Sequence, residues 1–258
     1  MNILICGIGG RMGHEVAKLA LEGYCGAIPV CGVDIRPVDG FDFPVYESFD
    51  AIPADIAIDC IIDFTFHTGT PALMEFAVAR RLPVVVATTG HTPEELDCIR
   101  KAAESIPVFH AANMSLGIAL LCELAKTTVK AFPDADIEIV EVHHNRKLDA
   151  PSGTALALAD AIRTVRDKAF YVFGRHGHAG RTPDEIGIHA LRMGNVAGEH
   201  KVIVATDSQT ITLEHQAHSR ALFAEGALTA AAYLVGQAPG LHDMQAMIEN
   251  QGERKGAS

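Results

Sequence analysis

The sequence is short of positive charge: its 258 residues include 21 Lys and Arg against 32 Asp and Glu, a formal net charge of −11. A net negative surface repels nucleic-acid phosphates and anionic lipid headgroups unless a strong basic patch reverses the field locally. The chain has no basic run of the length that this would require. We therefore expect a small-molecule partner, with no nucleic acid and no membrane.

The chain also lacks membrane, secretion and metal signals. No stretch approaches the ~20 apolar residues of a membrane-spanning helix, and the apolar strand at the N-terminus is not preceded by the basic segment of a secretory signal. The six cysteines form no C-x-x-C pair and fall partly in apolar runs, which indicates free thiols in a reducing compartment. We expect a cytoplasmic protein of one to two domains that binds no metal.

Short β-branched runs alternate with helix-like segments through the first hundred residues. Strands are predicted near 2–6, 28–33, 56–62, 83–87 and 106–109, and helices near 11–22, 67–80 and 93–104. This alternation, together with near-continuous apolar strands such as PVVVATT, is typical of parallel strands covered on both faces. It predicts an α/β fold with an N-terminal, Rossmann-like, doubly wound parallel sheet.

The rhythm changes after residue 114. A helix at 115–131, a strand at 136–144 and a helix at 153–166 are followed by several strands without helices between them, and an apolar helix is predicted at 220–236. QTITLEHQA alternates polar and apolar residues with the period of a half-buried strand. We expect a second α+β domain built on a mixed open sheet and a frayed C-terminal tail. For the loop at 174–185 the sequence leaves two interpretations, a mobile loop, which it favours, and a ligand-contacting one.

The strand ILICG runs directly into a glycine-rich turn, GIGGRMG, and then into a helix. Gly7, Gly9 and Gly10 allow a sharp turn and a close approach of a pyrophosphate to main-chain N–H groups, and Gly13 allows the helix to pack on the strand. The spacing departs from the strict G-x-G-x-x-G because Met12 occupies the place of the third glycine. Strand, turn and helix in this order predict a dinucleotide-binding βαβ unit.

Later strand ends supply further candidates for the dinucleotide site. Asp34 ends the second strand, about 20 residues beyond the glycines, where an acid bonds the ribose hydroxyls of NAD. Arg36 follows, and a guanidinium suits the 2′-phosphate of NADP, so both nucleotides stay open. ATTGH at 87–91 and AANM at 111–114 follow two more strands and would line the nicotinamide side.

The densest cluster of chemical groups is HHNRK, residues 143–147, in which four of five side chains can carry positive charge. DAPSGT follows it and opens a helix with Ser152, Gly153 and Thr154, whose N–H groups form a receptor for a carboxylate or phosphate. Together they predict a site for a dicarboxylate, in which His143 or Lys147 delivers a proton. An ordinary helix cap, or a charged strand end that discourages edge pairing, would use the same residues.

Five segments in fixed order carry a family resemblance: GIGGRMG, ATTG, AANMSLG, HHNRKLDAPSGTAL and EIGIHALRMGNVAGEHKV. The set resembles the 4-hydroxy-tetrahydrodipicolinate reductase (dihydrodipicolinate reductase) family across nearly the whole chain. The resemblance implies an oxidoreductase that uses NADH or NADPH to reduce 4-hydroxy-tetrahydrodipicolinate to tetrahydrodipicolinate in diaminopimelate and lysine biosynthesis. It also implies a dinucleotide-binding domain at 1–114 and 225–258, a substrate-binding domain at 115–224, and a homotetramer assembled through the second sheet.

The same resemblance implies roles for individual residues. His143 and Lys147 correspond to the catalytic proton donors. Substrate carboxylates would be bound by His144, Gly153 and Thr154. The dinucleotide would be bound by Gly7, Ile8, Gly9, Gly10, Arg11, Met12, Asp34, Ala87, Thr88, Thr89, Ala111, Ala112, Asn113 and Met114, to which the residue chemistry adds Arg36. The chain departs from the family pattern in having Ala87 for glycine, Met114 for phenylalanine and Asn145-Arg146 for an Arg-His pair.

Two alternatives differ in chemistry. Another nicotinamide-dependent dehydrogenase would share the N-terminal domain but would not need HHNRK before an APSGT helix start. A catalytically idle NAD(P)-sensing module would keep the glycine turn and dispense with the proton donor. Oxidation of reduced nucleotide with enzymatically generated substrate separates the reductase from the sensing module, which would bind NADH without turnover.

Overall fold

The computed structural model describes residues 1–249, so the tail at 250–258 lies outside the described residues. The chain forms two compact units, the first made of Met1–Ser115 and the chain from Arg220 onward, the second of Leu116–Ser219. The chain therefore leaves the first unit one residue after the predicted crossing at 114/115. It returns at 219/220, ahead of the predicted 224/225.

The strands and helices are numbered in chain order. The strands are β1 Asn2–Cys6, β2 Ile28–Val33, β3 Val45–Tyr46, β4 Cys60–Asp63, β5 Val84–Val86, β6 Pro107–His110, β7 Asp136–His143, β8 Phe170–Phe173, β9 Glu185–Arg192, β10 Gly198–Ala205, β11 Thr210–Ala217 and β12 Gly240–His242. The α-helices are α1 Arg11–Leu21, α2 Thr70–Arg80, α3 Pro93–Ala103, α4 Leu116–Ala131, α5 Gly153–Arg163 and α6 Ala221–Leu234.

The first unit is built on a seven-stranded sheet in the order β12-β6-β5-β4-β1-β2-β3. All of its neighbouring strands pair in parallel. The order runs outward in both directions from β1, as in a doubly wound fold, and the predicted Rossmann-like sheet is confirmed. The carboxyl ends of its strands therefore meet at one edge, where such sheets bind ligands.

Helices cover both faces of this sheet. Leu4 and Cys6 of β1 pack into a core with Leu73 of α2, whereas Ile3 and Ile5, on the opposite face, are also fully buried. Helices α1 and α6 contact each other, and both contact strands of the sheet. Burial on both faces explains why these strands are almost wholly apolar.

Local sequence sets where α3 begins. The Thr92 hydroxyl accepts the N–H of Glu95, and the Glu95 carboxylate accepts the N–H of Thr92, which together form a capping box. Pro93 occupies the first turn, where its missing N–H costs nothing. These residues hold the chain after β5 in a fixed turn, close to the edge where the strands end.

The second unit is a five-stranded sheet in the order β11-β10-β7-β9-β8. Strand β7 pairs antiparallel with β10 and parallel with β9, so the sheet is mixed, as predicted. Helices α4 and α5 cover one face through a core that includes Ile137, Ile139 and Val202. Because side chains alternate along a strand, Glu141 and His143 of β7 lie on this same covered face.

Three sequence-based expectations concern the cysteines, membrane-spanning helices and metal ligands. All six cysteines are free thiols, and Cys6, Cys31 and Cys60 are buried. Among residues 1–249, none of the helices combines the length and the apolar character that crossing a bilayer requires. The same residues contain no cluster of three or more His, Cys, Asp or Glu side chains arranged to hold a metal ion.

Candidate functional site

The glycine-rich turn joins β1 to α1 with very little space for side chains. Gly7 has a left-handed φ of +77°, and a Cβ there would lie 2.8 Å from the carbonyl oxygen of Phe64. A Cβ at Gly13 would collide with the Gly7 carbonyl and lie 2.6 Å from Cα of Ile8. Glycine is therefore required at both positions: at Gly7 for the turn, and at Gly13 for the close packing of α1 on it.

A cleft of about 760 Å³ opens beside this turn. Its lining includes residues that follow three neighbouring strands: Gly7, Gly9 and Gly10 after β1, Asp34 and Arg36 after β2, and Phe64, Thr65 and Phe66 after β4. A Cβ at Gly9 would lie 2.8 Å from Val38 Cγ2 and 3.0 Å from Asp34 Oδ2. The absence of side chains leaves the backbone of the turn open to a bulky ligand at the start of α1.

Asp34 is fixed at the side of this cleft. One carboxylate oxygen accepts the N–H of Gly9 at 2.9 Å, and the other accepts the N–H of Arg36 at 3.1 Å. Each carboxylate oxygen has two lone pairs, so one on each is left for a ligand hydroxyl. The Arg36 side chain is exposed and lines the same cleft. Asp34 and Arg36 therefore lie together at one cleft, and this geometry is compatible with NAD and with NADP.

A buried acid that the sequence analysis did not single out connects two strand ends. Asp63, fully buried at the end of β4, accepts hydrogen bonds from the Thr65 hydroxyl at 2.6 Å and the Thr88 hydroxyl at 2.7 Å. Burial raises the pKa of Asp63, although these hydrogen bonds oppose the rise. The carboxyl group thereby holds the segment after β5 against the segment after β4.

The remaining predicted cofactor residues differ in accessibility. The buried ones are Ile8, Ala87, Thr88 and Met114. The exposed ones are Arg11, Thr89 and Ala112, and the half-buried ones are Met12, Ala111 and Asn113. Arg11 and Met12 line a second cavity of about 420 Å³ beside the glycine turn. The side chains of Ile8, Ala87 and Met114 are buried among apolar residues, and the Thr88 hydroxyl bonds Asp63.

The second unit carries a compact charged cluster at the end of β7. Glu141 is fully buried, and its Oε2 lies 2.5 Å from Nδ1 of His143. Arg192 of β9 binds the same carboxylate with both terminal nitrogens, each at 2.8 Å. The N–H of Ser152 donates to Glu141 Oε1 at 3.0 Å. Arg192, His143 and Ser152 together hold the pKa of Glu141 below its usual range, against the effect of burial, which raises it.

His200 of β10 completes the cluster. Its ring packs edge-on against the ring of His143 at 5.2 Å, and its Nε2 lies 3.1 Å from the Ser152 hydroxyl. Burial, reinforced by the neighbouring His143, lowers the pKa of His200 to about 4. A neutral imidazole therefore lies beside His143 at physiological pH.

The predicted proton donor Lys147 lies in the turn after β7. Its N–H donates to the carbonyl of His144 at 3.1 Å, and its ammonium group lies 2.8 Å from Asp149 Oδ1. The lysine lowers the pKa of Asp149. This turn returns the main chain of Lys147 to His144, the residue that directly follows the end of β7 at His143.

Helix α5 begins beside the same cluster. Ser152 is its N-cap, and the Ser152 hydroxyl accepts the N–H of Ala155 at 3.2 Å. Gly153 and Thr154 form the first turn, whose N–H groups point out of the helix end and favour a negative charge there. Space is open at Gly153, where a Cβ would meet nothing within 4 Å. An anion receptor and two candidate proton donors are thus close in sequence and structure.

Sequence reasoning missed Glu141, Arg192 and His200. The spacing of Glu141 and His143 in EVH puts both on one face of a strand, a signal that could have linked them. Arg192 and His200 reach the cluster only through the pairing of β7 with β9 and β10. No local sequence pattern specifies that pairing.

Two family models together match most of the chain. Residues 1–114 match the model described as dihydrodipicolinate reductase, N-terminus, and residues 117–248 match dihydrodipicolinate reductase, C-terminus. The two matches meet within a few residues of the first crossing between units. They cover all of the residues assigned above by resemblance.

Full-length relatives agree with this result. The chain is 47% identical to a 4-hydroxy-tetrahydrodipicolinate reductase of Caldanaerobacter subterraneus subsp. tengcongensis over 96% of this chain and 98% of the relative. It is 39% identical to the enzyme of that name from Clostridium tetani, covering 97% and 98%. Among solved structures it is similar to a dipicolinate-bound dihydrodipicolinate reductase from Paenisporosarcina sp. TG-14, with a TM-score of 0.79, 25% identity, and coverage of 94% and 97%.

Proposed function

Because the chain belongs to the dihydrodipicolinate reductase family and is an NAD(P)H-dependent 4-hydroxy-tetrahydrodipicolinate reductase of lysine and diaminopimelate biosynthesis, we propose that its first unit holds the nucleotide and its second unit holds and protonates the substrate. The observation that carries the second half of this proposal is the cluster at the end of β7, where His143 and Lys147 lie beside the start of α5. The proposal that the first unit holds the nucleotide rests on the glycine turn and the cleft beside it.

The residues of the first unit fit a dinucleotide. The glycine backbone at the start of α1 would receive the pyrophosphate, and the Asp34 carboxylate would receive the adenosine ribose hydroxyls. Arg36 would meet a 2′-phosphate when the nucleotide is NADPH. Asp63 would position the segment that contains Thr88 and Thr89. When bound, the reduced nicotinamide supplies a hydride to the substrate.

The second unit would bind a dicarboxylate through charge and through helix N–H groups. We assign one carboxylate to the first turn of α5 at Gly153 and Thr154, and we assign His144 as a further partner. Such a site suits the cyclic dicarboxylic substrate because two negative charges need two separate receptors. The dipicolinate named in the solved relative is a ligand of the same class.

The chain's own part in the chemistry is proton delivery. For the product to form, the 4-hydroxyl group of the substrate must leave as water, which gives a conjugated imine. Addition of a hydride to that imine builds electron density that is quenched by protonation at carbon. A cationic acid stabilises that density as it develops and then gives up its proton. We assign this role to His143 through its Nε2, because Nδ1 is bonded to Glu141, and to Lys147 through its ammonium group.

Turnover and binding measured together test these assignments. We expect His143→Ala and Lys147→Ala each to lower kcat by about 10²-fold, the usual scale of lost general-acid catalysis, and to leave NADH affinity nearly unchanged. The assay follows oxidation of reduced nucleotide with enzymatically generated substrate, and fluorescence titration measures NADH binding. Near-normal kcat in both variants would remove the two residues from the chemistry. Loss of NADH binding would indicate damage beyond the substrate site.

The family resemblance also implies a homotetramer formed through the second sheet, in the cytoplasm. The face of that sheet away from α4 and α5 carries the half-buried Val140, Val142 and Ile203, and Leu191 is 42% exposed. We propose that a second copy of the chain covers this face. Light scattering of the eluted protein should give the mass of a tetramer, and Val142→Lys should reduce it.

A further inference from the structure

Glu141 is placed to control the histidine that we assign as a proton donor. It is fully buried, it belongs to the same strand, and it contacts His143 only through Nδ1. We propose that Glu141 is a positioning residue that keeps the proton on Nδ1 of His143 and presents Nε2 to the substrate. The kinetic part of this proposal rests on the proposed function, whereas the state of the ring does not.

The proposal depends on how the carboxylate is held. Oε1 accepts the N–H of Ser152 and one nitrogen of Arg192, and Oε2 accepts the other nitrogen of Arg192. An ionised carboxylate only accepts hydrogen bonds, so the remaining contact on Oε2, with His143, requires a proton on Nδ1. The two hydrogen bonds from Arg192 keep the Glu141 carboxylate ionised. This excludes the reverse arrangement, in which a protonated Glu141 would donate to an unprotonated Nδ1 of His143.

The surroundings of the ring support this orientation. His200 packs edge-on against His143 and is kept neutral by burial, so it adds no positive charge beside the ring. A Cβ at Gly198 would lie 3.1 Å from Nε2 of His143, so glycine keeps that side of the ring clear. Nδ1 is therefore fixed by charge, and Nε2 of this largely buried ring (8% exposed) has no side chain at position 198 against it.

This arrangement suits a histidine that gives away a proton. The Nε2 proton leaves the imidazolium for the substrate, and the ring that remains is the Nδ1–H tautomer, which already bonds Glu141. The ring therefore does not reorient between charged and neutral states. A carboxylate plays the same part toward histidine in the Ser-His-Asp triad, where its loss gives the wrong tautomer.

The structure predicts what an amide does in place of the carboxylate. In Glu141→Gln the single amide oxygen belongs where Oε1 now accepts two donors, Ser152 and Arg192. The amide NH₂ then takes the place of Oε2, where the hydrogen bond from one Arg192 nitrogen is lost and where Nδ1 of His143 must accept a hydrogen bond and lose its proton. The variant should hold the neutral ring as the opposite, Nε2–H tautomer.

Nuclear magnetic resonance of ¹⁵N-histidine-labelled protein tests the ring directly, with His143→Gln identifying its signals. In the unchanged protein at neutral pH we expect a proton on Nδ1 of His143. In Glu141→Gln we expect it on Nε2, with kcat lower by about tenfold or more and the substrate KM within about threefold. Glu141→Asp, which keeps the charge, should retain the proton on Nδ1 and lose less kcat.

Glu138→Gln is the matched control. Glu138 lies on the same strand and also bonds a histidine, His189, at 2.8 Å, but it lies on the other face of the sheet. We expect the His143 signals and kcat of this variant to match the parent, with assembly checked by light scattering.

The outcomes separate this proposal from the proposed function. An unprotonated Nδ1 in the unchanged protein overturns the proposal, and this measurement stands even if Glu141→Gln does not fold. An unaltered kcat in a folded Glu141→Gln whose tautomer has switched also overturns it. If instead His143→Gln keeps normal kcat, the proposed proton donor fails, while a proton on Nδ1 still supports the positioning of the ring by Glu141.

Discussion

Removing Arg192 should destabilise the second unit in a way that depends on pH. Arg192→Met keeps most of the aliphatic stem and removes the guanidinium, which binds both oxygens of the buried Glu141 carboxylate at 2.8 Å and the Asp149 carbonyl at 2.6 Å. The substitution leaves a buried charge with only the Ser152 N–H and His143 as partners. The loss of folding stability comes from the Glu141 carboxylate, which stays buried after its main partner is removed.

The magnitude follows from the contacts. Hydrogen bonds to charged groups contribute about 1.5–3 kcal/mol each, which gives about 3–6 kcal/mol for the two to Glu141. Breaking a buried ion pair by removing one partner costs about 3–5 kcal/mol. Arg192 is 18% exposed, so solvent compensates only in part. We expect a loss of about 3–5 kcal/mol at pH 7.

The pH dependence follows from the shift at Glu141. The pKa of Glu141 is lowered in the folded parent. The ion pair with Arg192 therefore stabilises the parent fully above the pKa of an ordinary glutamate. This stabilisation is lost as the pH falls through the pKa that Glu141 has in the folded protein. Without Arg192, burial dominates and raises that pKa, so the variant takes up a proton at higher pH than the parent does. The difference in stability between the two should therefore be largest near pH 7 and narrow toward acid pH.

Native-state hydrogen exchange read by mass spectrometry suits a two-unit chain because it reports each element separately. Peptides from β7 and β9 should lose protection in Arg192→Met, whereas peptides from β1 should not. Arg146→Met is the control, since Arg146 is exposed and its hydrogen bonds within residues 1–249 go to Asn145 and Asn195; it should change stability by less than about 0.5 kcal/mol. A loss below about 1 kcal/mol in Arg192→Met, or one constant from pH 7 to acid pH, would refute the reasoning.

Three further predictions concern ligand binding and the glycine turn. Thr154→Ala should raise the substrate KM several-fold with little change in kcat, because the hydroxyl belongs to the proposed carboxylate receptor; an unchanged KM in steady-state kinetics would exclude it. Arg36→Ala should weaken NADPH more than NADH in calorimetric titration, and equal effects would show that Arg36 does not contact the 2′-phosphate. Gly13→Ala should cost about 1–3 kcal/mol in the first unit, measured by thermal unfolding, because its Cβ meets backbone that cannot move aside; an unaltered melting temperature would contradict the packing seen at Gly7.

Sequence reasoning found the elements whose signal is local and missed those that depend on distant chain. Helix α1 and strands β1 and β2 have the predicted bounds to within one residue because glycines and apolar runs mark their ends. The two-residue strand β3 and the three-residue strand β12 were not predicted. Each is a short edge strand, held by pairing with β2 or β6, and neither carries a strand pattern of its own.

The residues of the candidate site also divide into those marked by local sequence and those brought together by distant parts of the chain. The glycine turn, Asp34 and the 143–154 segment were predictable because each is one continuous stretch whose spacing fixes geometry: a turn, a strand end, a helix start. Asp63 was passed over because an acid at the end of an apolar strand resembles an ordinary loop residue. Its partner Thr88 lies 25 residues away, and only the pairing of β4 with β5 unites them.

The cluster around Glu141 shows why the missed residues are the ones that control the predicted ones. A side chain that meets ligand must lie at a strand end or helix start, and such places leave marks in local sequence. A side chain that orients such a ligand-binding residue lies beneath it in the protein. Its partners come from neighbouring strands that are distant in sequence. Arg192 lies on β9, a parallel neighbour of β7, and His200 on β10, an antiparallel one, so no single spacing relates them to Glu141. Their common feature is the covered face of one mixed sheet, and the cluster on that face forms only when β10, β7 and β9 pair in this order.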